Sequence, residues 1–246
     1  MFANGDGKRP FDRNVKLVTD LVKNEVISLL QKASCVSSSA SLSADKKQKI
    51  KLEDVFVALS EHTGLLSRLI AYAEARVELA RFARSANVAC KRSGCLKDEE
   101  SGESSEENSD EEYSEPEEKD SGQNDKRKRE IADDQLLSAL KSAVKYVSLD
   151  FEKVRDYVDE KHQLHTKNLL EVIRDLSNED YQAFSAARQA TFQRQKFLKS
   201  SKAPNFLAWL GNPPIGENVE FVLAFVAKET VLQIVRDAVE IRNAVR

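Results

Sequence analysis

Apolar positions recur every three or four residues over most of this chain, and that period predicts helices. Val15, Val18, Val22, Val26, Leu29 and Ala33 form one stripe of about five turns, with Leu21 and Leu30 widening it beyond a narrow seam. Ser34 to Lys49 reads as a serine-rich loop, and Val55, Phe56 and Leu59 mark a short helix near 52–59. Gly64 interrupts the pattern, and a long helix then spans about 65–88 through Leu66, Leu69, Ile70, Ala73, Val77 and Ala80, with Arg68, Glu74, Arg81 and Arg84 on its other face. A second block opens with one stripe from Leu136 through Leu140, Val144, Val147, Phe151 and Val154 to Val158. Leu169, Leu170, Ile173 and Leu176 continue it. Ser177-Asn178-Glu179-Asp180 predicts a capping box. Pro204 precedes a very short apolar helix at 205–210, Gly211 to Pro214 is a turn, and Asn218 caps a final helix reaching the C-terminus. Such a helix cannot bury its apolar face alone and must cross another. No strand-rich segment competes, so the fold class is all-α.

Charge divides the chain. Residues 98–120 hold thirteen acidic side chains and one lysine. The whole chain is net −3 and this tract −12, which leaves +9 for the remainder. Like-charge repulsion with nothing to bury predicts an open acidic linker. The basic remainder suits work near nucleic acid or acidic partners. Ser104, Ser109 and Ser114 each precede a glutamate by three residues, the spacing acid-directed kinases favour. Lys126, Arg127, Lys128 and Arg129 form a cluster that an import receptor could read, which points to the nucleus.

Familiar catalytic chemistry is missing. No phosphate loop or dinucleotide fingerprint occurs, and no signature assembles a nucleophile, base and acid. His162 and His165 could share a helix face, but a metal would need further ligands, so a solvated polar face is expected. Cys35, Cys90 and Cys95 make no framework, and no membrane-length apolar run appears. The expectation is a non-enzyme with no cofactor, no metal and no membrane partner.

A short helix, long helix, short helix order is that of the histone fold, whose central helix is satisfied only by pairing. Two segments have this look: GDGKRP with LVTDLVKNEVISLLQKA and IKLEDVFVALSEHTGLLSRLIAY, then NFLAWL with NVEFVLAFVAKETVLQIVRDAVEIRNAV. Together they resemble the Spt-three family, a subunit of the SAGA transcription coactivator. The resemblance covers roughly 1–85 and 188–246. It implies two degenerate histone folds in one chain, paired intramolecularly and joined by the acidic linker and an extra helical segment. The implied domains are 1–96, a disordered tract 97–130, a helical connector 131–187, and 188–246. The core would include Val18, Val22, Val26, Leu29, Trp209, Val222, Val226 and Ile234.

The resemblance also implies a scaffold for RNA polymerase II initiation that heterodimerises with histone-fold TBP-associated factors of SAGA and contacts TATA-binding protein. Lys228, Glu229 and Asp237 on the last helix are the expected partner contacts. Alternatives are a TFIID-type subunit, such as the thirteenth TBP-associated factor, which resembles only the first block, and a histone-like module in weak direct contact with DNA. Two departures stand out. Lys51-Leu52 replaces the family's Thr-Pro, so that helix should start less sharply, and Lys47, Gln48 and Lys49 supply no arginine to clamp Asp54. Set against the resemblance, the opening helix of the first fold is expected to be truncated and the third helix of the second to be missing.

Overall fold

A computed structural model describes residues 1–39, 49–92, 122–192 and 205–245, with only the backbone course given at 39, 83–92 and 122–133. The acidic tract, Ser104, Ser109, Ser114 and Cys95 therefore lie outside the described residues. Two compact units emerge, Met1–Ala71 with Ala139–Arg246, and Tyr72–Ser138.

The first unit is built on two long helices. Helix α1 spans Asp12–Ser39, with Asp12 in the first turn where the helix dipole favours an acid. Val18, Val22, Val26, Leu29, Leu30 and Ala33 are buried along one face. The helix runs past the expected end at Ala33 into the serine run. Ser38 Oγ donates to the Ser34 carbonyl at 2.8 Å, which satisfies the hydroxyl inside the helix instead of unwinding it. Ser37 is buried there.

Helix α2, Leu52–Leu59, starts cleanly although the threonine and proline are gone. The Lys51 backbone N–H donates to Asp54 Oδ2 at 2.9 Å. Asp54, buried, thereby supplies the reciprocal half of a capping box, the half that accepts from the N-cap N–H, while Lys51 makes no side-chain cap bond. Helix α3, Thr63–Arg92, opens before Gly64 and includes it in the first turn, where a helix tolerates glycine best.

Helix α4 spans Gly122–Tyr146 and begins inside the segment expected to be open. Lys, Arg, Glu, Gln and Ala dominate its early turns, and these residue types favour helix. The basic cluster 126–129 thus lies on helical backbone. The expected continuous stripe from Leu136 to Val158 is broken after α4, where Ser148 takes φ 58°. Asp150 then caps a new short helix α5, Phe151–Arg155, by accepting from Glu152 N. Asp159 caps α6, Glu160–Arg174, by accepting from His162 N. Ser177 caps α7, Asn178–Gln189, by accepting from Asp180 N at 3.1 Å. Asp180 itself takes hydrogens from the Ser177 hydroxyl at 3.0 Å and from Lys8 Nζ at 2.5 Å.

Helix α8 is the four-residue Phe206–Trp209, and α9 spans Val219–Ala244. Residues Phe221 to Ala227 of α9 are buried on every side, the signature of a helix running through a core. Asn218 stands at its N-cap with φ 62° and makes no side-chain cap bond, so its contribution is tolerance of the left-handed backbone. Helix α1 packs against both α2 and α9. A 3-10 turn at Phe2–Asn4 touches α7 and α9, with Phe2 edge-on to Phe184 at 5.7 Å.

The loops preceding α2 and α9 are stitched by a parallel bridge between Ile50 and Ile215. Ile50 N donates to the Pro214 carbonyl at 2.9 Å, and Gly216 N donates to the Ile50 carbonyl at 2.8 Å. A Cβ at Gly216 would stand 3.3 Å from the Ile50 oxygen, a tight contact that would push the two loops apart by a few tenths of an ångström.

In the second unit Val77 and Leu136 are buried, and Arg81 Nη2 meets Asp134 Oδ1 at 2.9 Å. That pair is exposed and contributes little.

Candidate interaction site

Burial of Val18, Val22, Val26 and Leu29 on α1 leaves the opposite flank of that helix to form surface, and α9 joins the surface past Ala227, where its residues are no longer buried on every side. Trp209 and Ile234 are half-buried. Trp209 stacks on Phe192 at 6.1 Å, with Lys23 Nζ 5.6 Å from its ring centre, so one α1 cation packs over α8.

Between the flanks of α1 and α9 and the α2–α3 turn runs an open groove of about 730 Å³. Leu21, Leu29, Leu59 and Ile234 are among its apolar lining, and Glu25, Glu61, Glu229 and Asp237 among its acids. Two of the three expected contact residues, Glu229 and Asp237, therefore share this groove. Lys228 does not line it. Its Nζ donates to the Arg188 carbonyl at 2.9 Å, and burial, followed by the charge of Arg188, holds its pKa below the ordinary lysine value.

Glu229 already has a partner within the chain. Arg68 Nε donates to Glu229 Oε2 at 2.7 Å, and Arg68 Nη1 pairs with the Asp159 carboxylate. The three side chains are mostly buried, at 23%, 14% and 27% exposure for Arg68, Glu229 and Asp159. One guanidinium thus ties α3, the N-cap of α6 and the middle of α9. Burial pushes the Asp159 carboxyl up, but the His162 N–H and Arg68 outweigh it, and its pKa settles below the usual carboxylate value. Ser67 Oγ reinforces the same corner by donating to the Tyr157 carbonyl at 3.1 Å.

His162 and His165 do share a face of α6, but that face is half-buried and not solvated. His162 Nδ1 and His165 Nε2 are buried with no hydrogen-bond partner. Burial first, then Arg68 for His162 and Arg236 for His165, lowers both pKa values. No group of three or more His, Cys, Asp or Glu that could hold a metal occurs among the described residues. Among the same residues no helix is long and apolar enough to cross a membrane.

Sequence reading missed the Arg68 staple. Arg68 appeared there only as part of a polar helix face, and its partners lie 91 and 161 residues away. The only local signal was the acid at position 229 inside an apolar run.

Residues 1–87 match the family described as transcription initiation factor IID, 18kD subunit. This N-terminal region, holding α1, α2 and most of α3, is consistent with a histone-fold-like domain of a transcription factor. No curated protein and no solved structure matches the chain.

Proposed function

We propose that this chain is a non-catalytic scaffold subunit of a SAGA-type coactivator, acting in the nucleus on RNA polymerase II initiation. Its two helical motifs pair within one chain as degenerate histone folds. The composite contacts TATA-binding protein and docks beside histone-fold TBP-associated factors. The family match over 1–87 carries the transcription reading. Support for a second fold comes from α8, the turn through Ile215, and α9, a short-helix, loop, long-helix order whose long helix crosses α1. The Ile50–Ile215 bridge joins the loop after one central helix to the loop before the other, which gives the pairing a backbone registration as well as an apolar one.

A TFIID-type subunit is the second reading, because the matched description names that complex. Affinity purification of the tagged full chain separates the two. Recovery with SAGA subunits supports the proposal, and recovery with TFIID subunits alone supports the second reading. A pull-down with purified TATA-binding protein at about 150 mM salt tests the direct contact. Asp237→Lys is the preferred variant, because Asp237 is exposed whereas Glu229 is held internally. Binding that is weakened in the variant places the contact on α9.

A further inference from the structure

The groove between α1, α2 and α9 has an apolar floor and an acidic rim, and no side chain among the described residues fills it. Leu21, 43% exposed, and Tyr157, 48% exposed, leave apolar surface open along it. Five carboxylates line it against one lysine and one arginine. The Arg68 staple takes Asp159 and Glu229, and Arg236 pairs with Asp237 at 3.1 Å. What remains for a visitor is Glu25 on α1 and Glu61 just past α2, both exposed and on two walls of the groove, with Lys32 as the opposing charge. Helices form these walls, and the bridge between Ile50 and Ile215 is already paired. Strand addition therefore has no edge to use here, and duplex nucleic acid would meet the wrong sign of charge.

We infer that this groove is a docking site for a cationic amphipathic helix of a partner protein. Its apolar ridge lies on Leu21, Leu59 and Ile234, and its lysines or arginines reach Glu25 and Glu61. This deepens the scaffold reading by assigning the chemistry of one partner. It also moves the contact away from Glu229, which the staple keeps in the wall.

The test uses the full chain and a fluorescein-labelled peptide helix of about four turns. Leucines stand at the i, i+3, i+4, i+7 positions and lysines along both flanks. A matched peptide carries glutamate in place of every lysine. Fluorescence anisotropy is read for the wild-type chain and for Glu25→Lys/Glu61→Lys, whose two sites are exposed and leave the core untouched; circular dichroism confirms that it folds. The expected result is binding of the lysine peptide that weakens at least about tenfold in the variant, with no binding of the glutamate peptide. A benzophenone placed at a ridge leucine should cross-link to α1 or α9. Equal binding to wild type and variant, or cross-links confined to the acidic tract 98–120, would overturn the inference, as would equal binding of the two peptides. Peptide binding in the groove by a chain that fails to recover coactivator subunits would sink the scaffold reading and leave this site standing.

Discussion

At the scale of single residues, Arg68 carries the most consequence. It neutralises two carboxylates from distant parts of the chain, and all three groups are less than a third exposed. Removing one partner of such an arrangement leaves a poorly solvated charge. Arg68→Ala should lower unfolding stability by about 2 kcal/mol in urea titration. Glu229→Lys should cost more than Glu229→Gln, because it sets a second cation against Arg68. The swap Arg68→Glu/Glu229→Arg should recover part of that loss, whereas additive losses would show that the two do not interact.

The α6 histidines predict a pH effect. Their folded pKa values lie below the ordinary histidine value of about 6.5, so the folded chain favours the neutral rings. Their contribution is fully present above that pH and is lost as pH falls below it toward the lowered folded values. Wild-type stability should fall between about pH 7 and pH 5, and His162→Gln/His165→Gln should flatten that slope. An unchanged slope in the variant would assign the effect to other groups. These features resisted sequence reading for a plain reason. Periodicity reports which face of α6 or α9 is apolar, but not which polar group on its margin meets a charge from another helix.

At the scale of elements, hydrophobic period located nearly every helix, because burial on one face imposes it directly. The α2 bounds agree with the sequence reading, and Ser177 caps α7 as its capping signal predicts. Failures came where local chemistry overrode pattern. The serine run stays helical as far as Ser39, with the Ser38 hydroxyl turned back onto the backbone, and the Leu136–Val158 stripe splits at Ser148 although its period continues. The Ile50–Ile215 bridge had no visible signal at all, since two residues make no strand pattern. Its tight point is Gly216. Gly216→Val should weaken the joint between the loops, lowering the thermal midpoint by several degrees, consistent with about 1 kcal/mol for a domain of this size. Leu223→Ala on α9, fully buried, should cost roughly 2–5 kcal/mol and mark the upper end of single-site effects.

At the scale of the whole molecule, the chain brings its N-terminal and C-terminal segments into one compact unit across a long acidic insertion. Loop-closure entropy grows only slowly with length, so an insertion of this size is tolerable when the joined parts bury enough surface. Deleting 98–120, which stops short of the start of α4 at Gly122, should therefore leave the unfolding midpoint of the α1–α9 unit within about 1 kcal/mol of wild type. Loss of the cooperative transition would show that the tract contributes to folding.

The central claim is that α1 and α9 pair inside one chain with their loops in register. Native-state hydrogen exchange at the Ile50 and Gly216 amides tests this most directly, because each donates to the opposite loop. Protection at both amides comparable to the buried turns of α1, unchanged on dilution, is the predicted result. Rapid exchange at both, with α1 still protected, would contradict the pairing.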